Sequence, residues 1–178
     1  NRAVGLQRMG KAKEAFEEIN RAISAGVTGV SVYRLRAELY GMLGQPEKQN
    51  SDLIAALQCI PLTDLDWIDH GLILLGSDPK KASQDFEQAL RLRPKSIDAL
   101  QKLAYVHSEL LGNRDSAIRY LDDLIQLAPD QATHRAGRAV LYARNSRWTD
   151  AIQDLETCEK LDPSEPMVQY QIASAYGL

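Results

Sequence analysis

Cysteine is scarce: Cys59 and Cys158 are the two thiols of a 178-residue chain. They lie in unrelated contexts with no CxxC spacing. No disulfide framework, zinc site or redox pair is read from them, and both are expected to be buried and reduced. Long apolar runs are missing as well. The longest lies near Leu72-Ile-Leu-Leu75, far below the roughly 20 residues that a membrane span needs. No basic-then-apolar leader opens the chain. There is no excess of positive charge: 21 Lys and Arg stand against 24 Asp and Glu, a formal net charge of −3. A nucleic-acid-binding domain is usually basic, and Arg135, Arg138, Arg144 and Arg147 read as members of dispersed, solvated faces. Catalytic signatures are absent too. The chain carries no HExxH, no GxSxG and no GxxxxGK[ST]. The expectations are no nucleic acid, no membrane insertion, no metal, no cofactor, no catalysis and a cytoplasmic setting.

Hydrophobic content of 44% and charged content of 25% fit a folded chain rather than a disordered one. Repetition organises it. Pro61, Pro94, Pro129 and Pro163 are spaced 33, 35 and 34 residues apart. Ala82, Ala117 and Ala151 are spaced 35 and 34, each twelve residues before its proline. Four residues after each alanine comes a large apolar side chain: Phe86, Leu121, Leu155. Ala89, Leu124 and Cys158 follow three further on. A fixed period near 34 signals a stack of identical supersecondary units.

Each segment carries apolar residues at i, i+3 or i+4, and i+7, the stripe of an amphipathic helix. Leu100, Leu103 and Ala104 form one stripe, and Ala117, Leu121 and Leu124 the next. The breaks are short: Gly10, Gly44-Gln-Pro46, Ser77-Asp-Pro79, Gly112-Asn113 and Asn145-Ser146. Glycine suits the left-handed residue past a helix end, and proline the first turn of the next helix. Asp78, Ser96 and Asp130 are placed to act as N-caps. Short links make neighbouring helices antiparallel. Small residues at Ala37, Gly71, Ala104, Ala139 and Ala173 allow the paired helices to approach closely. Gln49 and Arg135 interrupt the pattern. Gln49 fills a small-residue slot, so its pair is expected to pack less closely, and Arg135 stands where an aromatic would.

These residues resemble the tetratricopeptide repeat: a Trp-x2-Leu-Gly-x2-Tyr first helix, an Ala-x3-Phe-x2-Ala second helix, then Pro. Trp67 and Gly71, then Ala82, Phe86, Ala89 and Pro94, match most fully. The resemblance covers the whole chain and implies an all-α fold, with helix pairs stacked into a right-handed superhelix. In family register the full repeats are 30–63, 64–96, 97–131 and 132–165. Partial repeats are expected at 1–29 and 166–178, the latter with Ala173 and Tyr176. The chain begins at Asn1 and stops at Leu178 inside apparent helices, and a fragment of a longer protein is expected.

The resemblance also implies that first helices line a concave groove. The residues expected there are Leu65, Ile68, Leu72 and Leu75, then Gln101 and Tyr105. Ala136, Val140 and Arg144 follow, and then Tyr170. Asp98, Ser108, Thr133, Ala143, Met167 and Ser174 occupy the same register. The groove is expected to be apolar and aromatic, acidic near Asp69 and basic near Arg138 and Arg144. His70, His107 and His134 read as packing or surface residues. Asp64, Asp66 and Asp69 read as complements to a helix dipole, and Asp122-Asp123 as a solvated face.

Some members of the family hold acidic C-terminal tails with a two-carboxylate clamp. That clamp needs Lys-x3-Asn, Asn and Lys-x3-Arg in successive first helices. The complete repeats lack those asparagines, and Arg34 is followed four residues on by Glu38, so no such clamp is expected. The leading reading is a scaffold that binds a peptide or helix of a partner protein without catalysis. Alternatives are a regulatory or assembly segment of a larger multidomain protein, of the kind linked to bacterial kinases or transferases, and a structural solenoid that self-associates end to end.

Overall fold

The computed structural model describes residues 3, 5, 6, 9–162 and 170. Among them the chain is all-α, as expected. The helices are α1 (Ala12–Ser24), α2 (Val30–Met42), α3 (Pro46–Gln58), α4 (Asp64–Leu74) and α5 (Pro79–Leu92), then α6 (Ile97–Tyr105), α7 (Arg114–Leu127), α8 (Ala132–Arg144) and α9 (Trp148–Leu161). A π-helical turn, Val106–Leu110, continues α6. Pro163, Met167, Ala173, Ser174 and Tyr176 lie outside the described residues.

The chain divides into two compact units, Asn1–Arg93 and Pro94–Leu178. In the first, α2 packs on α3 and α4 on α5, while α1 and α4 both flank α2. In the second, α6 packs on α7 and α8 on α9, and α7 joins the two pairs. The helix starts follow local chemistry. Thr63 and Asp66 form a reciprocal capping box on α4, and Asp78, Ser96 and Asn113 accept the third amide of α5, α6 and α7. Each satisfies a backbone donor that has no partner inside its helix. Asp130 does not take the cap position expected of it. The Gln131 amide donates to the Ala128 carbonyl, and this turn delays α8 by one residue, leaving Gln131 as a cap without a side-chain bond.

The links show how the period is kept. Gly10, Gly44, Gly112 and Ser146 all have φ between 59° and 73°, and each stands one residue before the N-cap of a second helix. From the cap of a first helix to the cap of its partner the usual distance is 16 residues, as in Gly29 to Gln45 and Gln131 to Arg147. Thr63 to Asp78 is 15, and the left-handed residue is the one left out: the Ser77 and Asp78 amides both donate to the Leu74 carbonyl. Ser96 to Asn113 is 17. The extra residue is absorbed by the π turn, where the Leu111 amide reaches back five residues to the Val106 carbonyl at 2.9 Å. The 33- and 35-residue proline spacings of the sequence are therefore adjustments at the ends of first helices.

Small residues do what the sequence suggests. Ala37 and Ala139 are fully buried. A Cβ on Gly71 would stand 2.6 Å from Phe86 Cε1, inside contact distance, and Phe86 is itself fully buried. Gln49 is accommodated by a second departure across the pair. A Cβ on Gly41 would lie 3.0 Å from its amide nitrogen, so Gly41 makes room for the larger side chain.

Candidate functional site

Two recurring arrangements of polar and charged side chains link the helices of each unit. One is a strap from a first helix to its own second helix. Arg36 holds Asp52 through Nε and Nη2 at 2.6 and 2.7 Å, and Arg138 holds Asp154 in the same bidentate way at 2.8 and 2.7 Å. His70 Nδ1 meets Asp85 at 2.7 Å in the corresponding place. The two arginines also reach back to the preceding second helix, Arg36 to Asn20 at 3.2 Å and Arg138 to Asp122 at 2.5 Å. Asp52, Asp85 and Asp154 are buried, and a buried carboxylate needs such a partner. The hydrogen bond to Asp154 raises the affinity of Arg138 for its proton, and burial raises the Asp85 pKa against the pull of His70. Burial beside Asp154 likewise pushes the Cys158 thiol up to about 11, and that thiol donates to the Ala132 carbonyl at 3.2 Å. The sequence did hold a signal for the strap: a cation or histidine 15 or 16 residues before an aspartate, recurring with the period.

The second joins successive first helices. In the N-terminal unit, Arg34 pairs with Asp69 at 2.7 Å and also with Glu38, and Ser31 donates to Asp66 at 3.1 Å. In the C-terminal unit, Gln101 meets His134 at 3.3 Å, and Glu109 meets Arg144 at 3.3 Å. The charges expected at the acidic and basic ends of a groove all have partners. Asp69 and Arg144 are both paired, Arg138 belongs to a strap, and Asp122 is its partner rather than part of a solvated face.

A cavity of about 410 Å³ is lined by α6, the π turn, α7 and α8 of the C-terminal unit. Ala104, Leu121, Leu124, Val140 and Leu141 give it apolar walls. Gln101, Thr133, His134 and Ser108 supply uncharged polar groups. Tyr105, Tyr170 and the Glu109–Arg144 pair also border it, the two tyrosines being 47% and 70% exposed. His134 is buried, and its Nδ1 has no hydrogen-bond partner among the described residues. Burial, helped by the charge of Arg135, lowers its pKa from the ordinary 6.5, so the ring is neutral at pH 7.

Of the residues expected to line a groove, Gln101, Tyr105, Val140, Arg144 and Tyr170 border this one cavity. Ser108 and Thr133, in the same register, do so too. Ala136 does not: it is fully buried in helix packing. Leu65, Ile68, Leu72 and Leu75 lie on or just after α4 of the other unit. Leu65 is 54% exposed, Leu72 and Leu75 are half-buried, and Ile68 is core. His134 and Glu109 were not among the expected lining residues. Glu109 arrives through the π turn, which nothing but the 35-residue spacing announced.

The family model described as tetratricopeptide repeat matches residues 111–166. Residues 111–166 carry the tetratricopeptide repeat. It is 22% identical to DnaJ homolog subfamily C member 3 of Homo sapiens over 96% of the chain and 37% of the relative. It is also 22% identical to the Hsp70-Hsp90 organizing protein of Triticum aestivum, over 92% of the chain and 29% of the relative. The chain thus spans well under half the length of these two curated relatives. Among solved structures it is similar to a chain of the APC/C hetero-tetramer Cut9-Hcn1, with a TM-score of 0.74 and 20% identity over 97% of this chain and 34% of that one. It is similar as well to YrrB, a TPR protein with an unusual peptide-binding site, with a TM-score of 0.73 and 16% identity over 96% of this chain and 88% of that one. Within each helix pair the variations in cap-to-cap spacing fall where first helices end. Among the described residues no helix is long and apolar enough to cross a membrane.

Proposed function

We propose that this chain is a protein–protein interaction module that binds a segment of a partner protein, without catalysis, through the cavity between α6 and α8. The observation that carries this is the convergence of Gln101, Tyr105, Val140, Arg144 and Tyr170 on one cavity of about 410 Å³. Concave sites with apolar walls and a few placed polar groups are where ligands bind. YrrB, described as a TPR protein with an unusual peptide-binding site, supports the reading, as does the relative named Hsp70-Hsp90 organizing protein. The repeat units assigned are 30–63, 64–96, 97–131 and 132–165. A cytoplasmic setting accords with two free cysteines, one buried and one half-buried.

An acidic chaperone tail is not the assigned ligand. Arg34 already holds Asp69 and Glu38, and Arg144 already holds Glu109. Titration with an acidic tail peptide bearing a free carboxylate is expected to show weak binding; a micromolar constant would contradict this. The cavity itself is tested by Ser108→Trp, which fills it from the π turn. With helicity unchanged by circular dichroism, loss of the partner captured by the unaltered chain is expected. Retention of that partner would move the interaction elsewhere. A second reading, a regulatory or assembly segment of a larger protein, is favoured by the short span of the relatives that the chain covers.

A further inference from the structure

We infer that the cavity accepts one unphosphorylated tyrosine side chain of the partner segment, an inference that rests on the binding role proposed above. Charge is the first criterion. Glu109 and Arg144 face each other at 3.3 Å, so an incoming carboxylate meets Glu109 and an incoming ammonium meets Arg144. Each brings a like charge beside one member of the pair. An uncharged occupant disturbs neither.

Shape and polarity narrow the choice. Leu121, Leu124, Val140 and Leu141 provide apolar walls, with Tyr105 and Tyr170 beside them. A ring fits such surroundings, because aromatic pairs add edge-to-face contact to simple burial. Gln101 and His134 stand 3.3 Å apart on the lining. A wholly apolar ring covers both groups and returns no hydrogen bond, which is costly. Both groups carry donor and acceptor capacity, the carboxamide always and the imidazole when neutral. A phenol hydroxyl also donates and accepts, so it can satisfy either arrangement. Burial keeps His134 neutral, which preserves that match. Phosphorylation of the tyrosine would replace this hydroxyl with a dianion inside a cavity walled by Leu121, Leu124, Val140 and Leu141, so the modified partner is excluded.

The test uses the 178-residue chain and capped pentapeptides of alanine with a central Tyr, Phe, Leu, Glu or phosphotyrosine. Amide and side-chain shifts of Gln101, Thr133 and His134 are followed by NMR titration. The tyrosine peptide is expected to bind about tenfold more tightly than the phenylalanine peptide, the measure of one neutral hydrogen bond. His134→Ala and Gln101→Ala are each expected to erase that ratio while leaving phenylalanine binding in place. The phosphotyrosine and glutamate peptides are expected not to shift these signals. Equal binding of tyrosine and phenylalanine, or tightest binding of leucine, glutamate or phosphotyrosine at the same signals, overturns the tyrosine assignment and leaves the cavity as the binding site. If none of the peptides moves these signals, both readings fall.

Discussion

Gly71 and Ser146 show what a single residue decides in this fold. Gly71 is the point where α4 touches Phe86 of α5, with no space for a methyl group. Gly71→Ala must push a fully buried ring aside, and overpacking of this kind typically costs about 1–3 kcal/mol. A urea midpoint that did not fall would contradict the close approach. Ser146 is the reverse case. It has φ 59°, where Gly10, Gly44 and Gly112 occupy the equivalent places. A left-handed conformation is unfavourable for a residue with a Cβ, so Ser146→Gly is expected to stabilise the chain by roughly 0.5–1 kcal/mol, again read from the urea midpoint. His134 adds a pH term. Its folded pKa lies below the ordinary 6.5, so the unfolded chain takes up a proton first as pH falls. Stability from this residue is therefore complete above about pH 6.5 and declines as pH drops from there toward the lowered folded value. His134→Gln is expected to remove that decline. Equal losses in both proteins between about pH 7.5 and 5 would contradict it.

At the scale of the helix, much of the molecule was legible beforehand. Apolar stripes, short links and the alanine and proline spacing located the helix pairs, because an amphipathic helix must write its buried face at a fixed period. The caps at Asp78 and Ser96 were visible for the same local reason. The straps at Arg36–Asp52, His70–Asp85 and Arg138–Asp154 were not foreseen, since charged residues on a helix read as solvated until the neighbouring helix is placed. The cap expected at Asp130 missed by one residue, because turn geometry rather than residue type sets the start of α8. The π turn lay in between. Its extra residue was visible as a 35-residue spacing, but where a helix absorbs an insertion depends on packing. It brings Ser108 and Glu109 to the cavity and lets Glu109 reach Arg144. Deleting Ser108 restores the 16-residue spacing of the other pairs. The expected result is a chain of unchanged helicity that has lost binding at the cavity. Unimpaired binding by the deletion variant would show that the π turn does not shape the site.

For the whole molecule, periodicity gives the helix pairs and leaves the choice of ligand to departures from it. Core positions such as Leu100, Leu103, Leu124 and Leu155 are nearly or fully buried and serve any protein of this architecture. The candidate site lies where the period slips by one residue and a buried histidine meets a glutamine. Half of the expected groove residues lie outside this cavity. Positions carried over from a repeat pattern identify a helix face, but Ile68 and Ala136 are buried on it while Gln101 and Tyr105 border open space. The most direct measurement replaces Tyr105, at the cavity border, with photoreactive benzoylphenylalanine, one ring for another. Gln126, exposed on α7 and away from the cavity lining, is the control position. On irradiation with a binding partner present, the cavity assignment predicts a covalent adduct through position 105 and none through 126. An adduct through 126 alone, or equal yields from both, would contradict it.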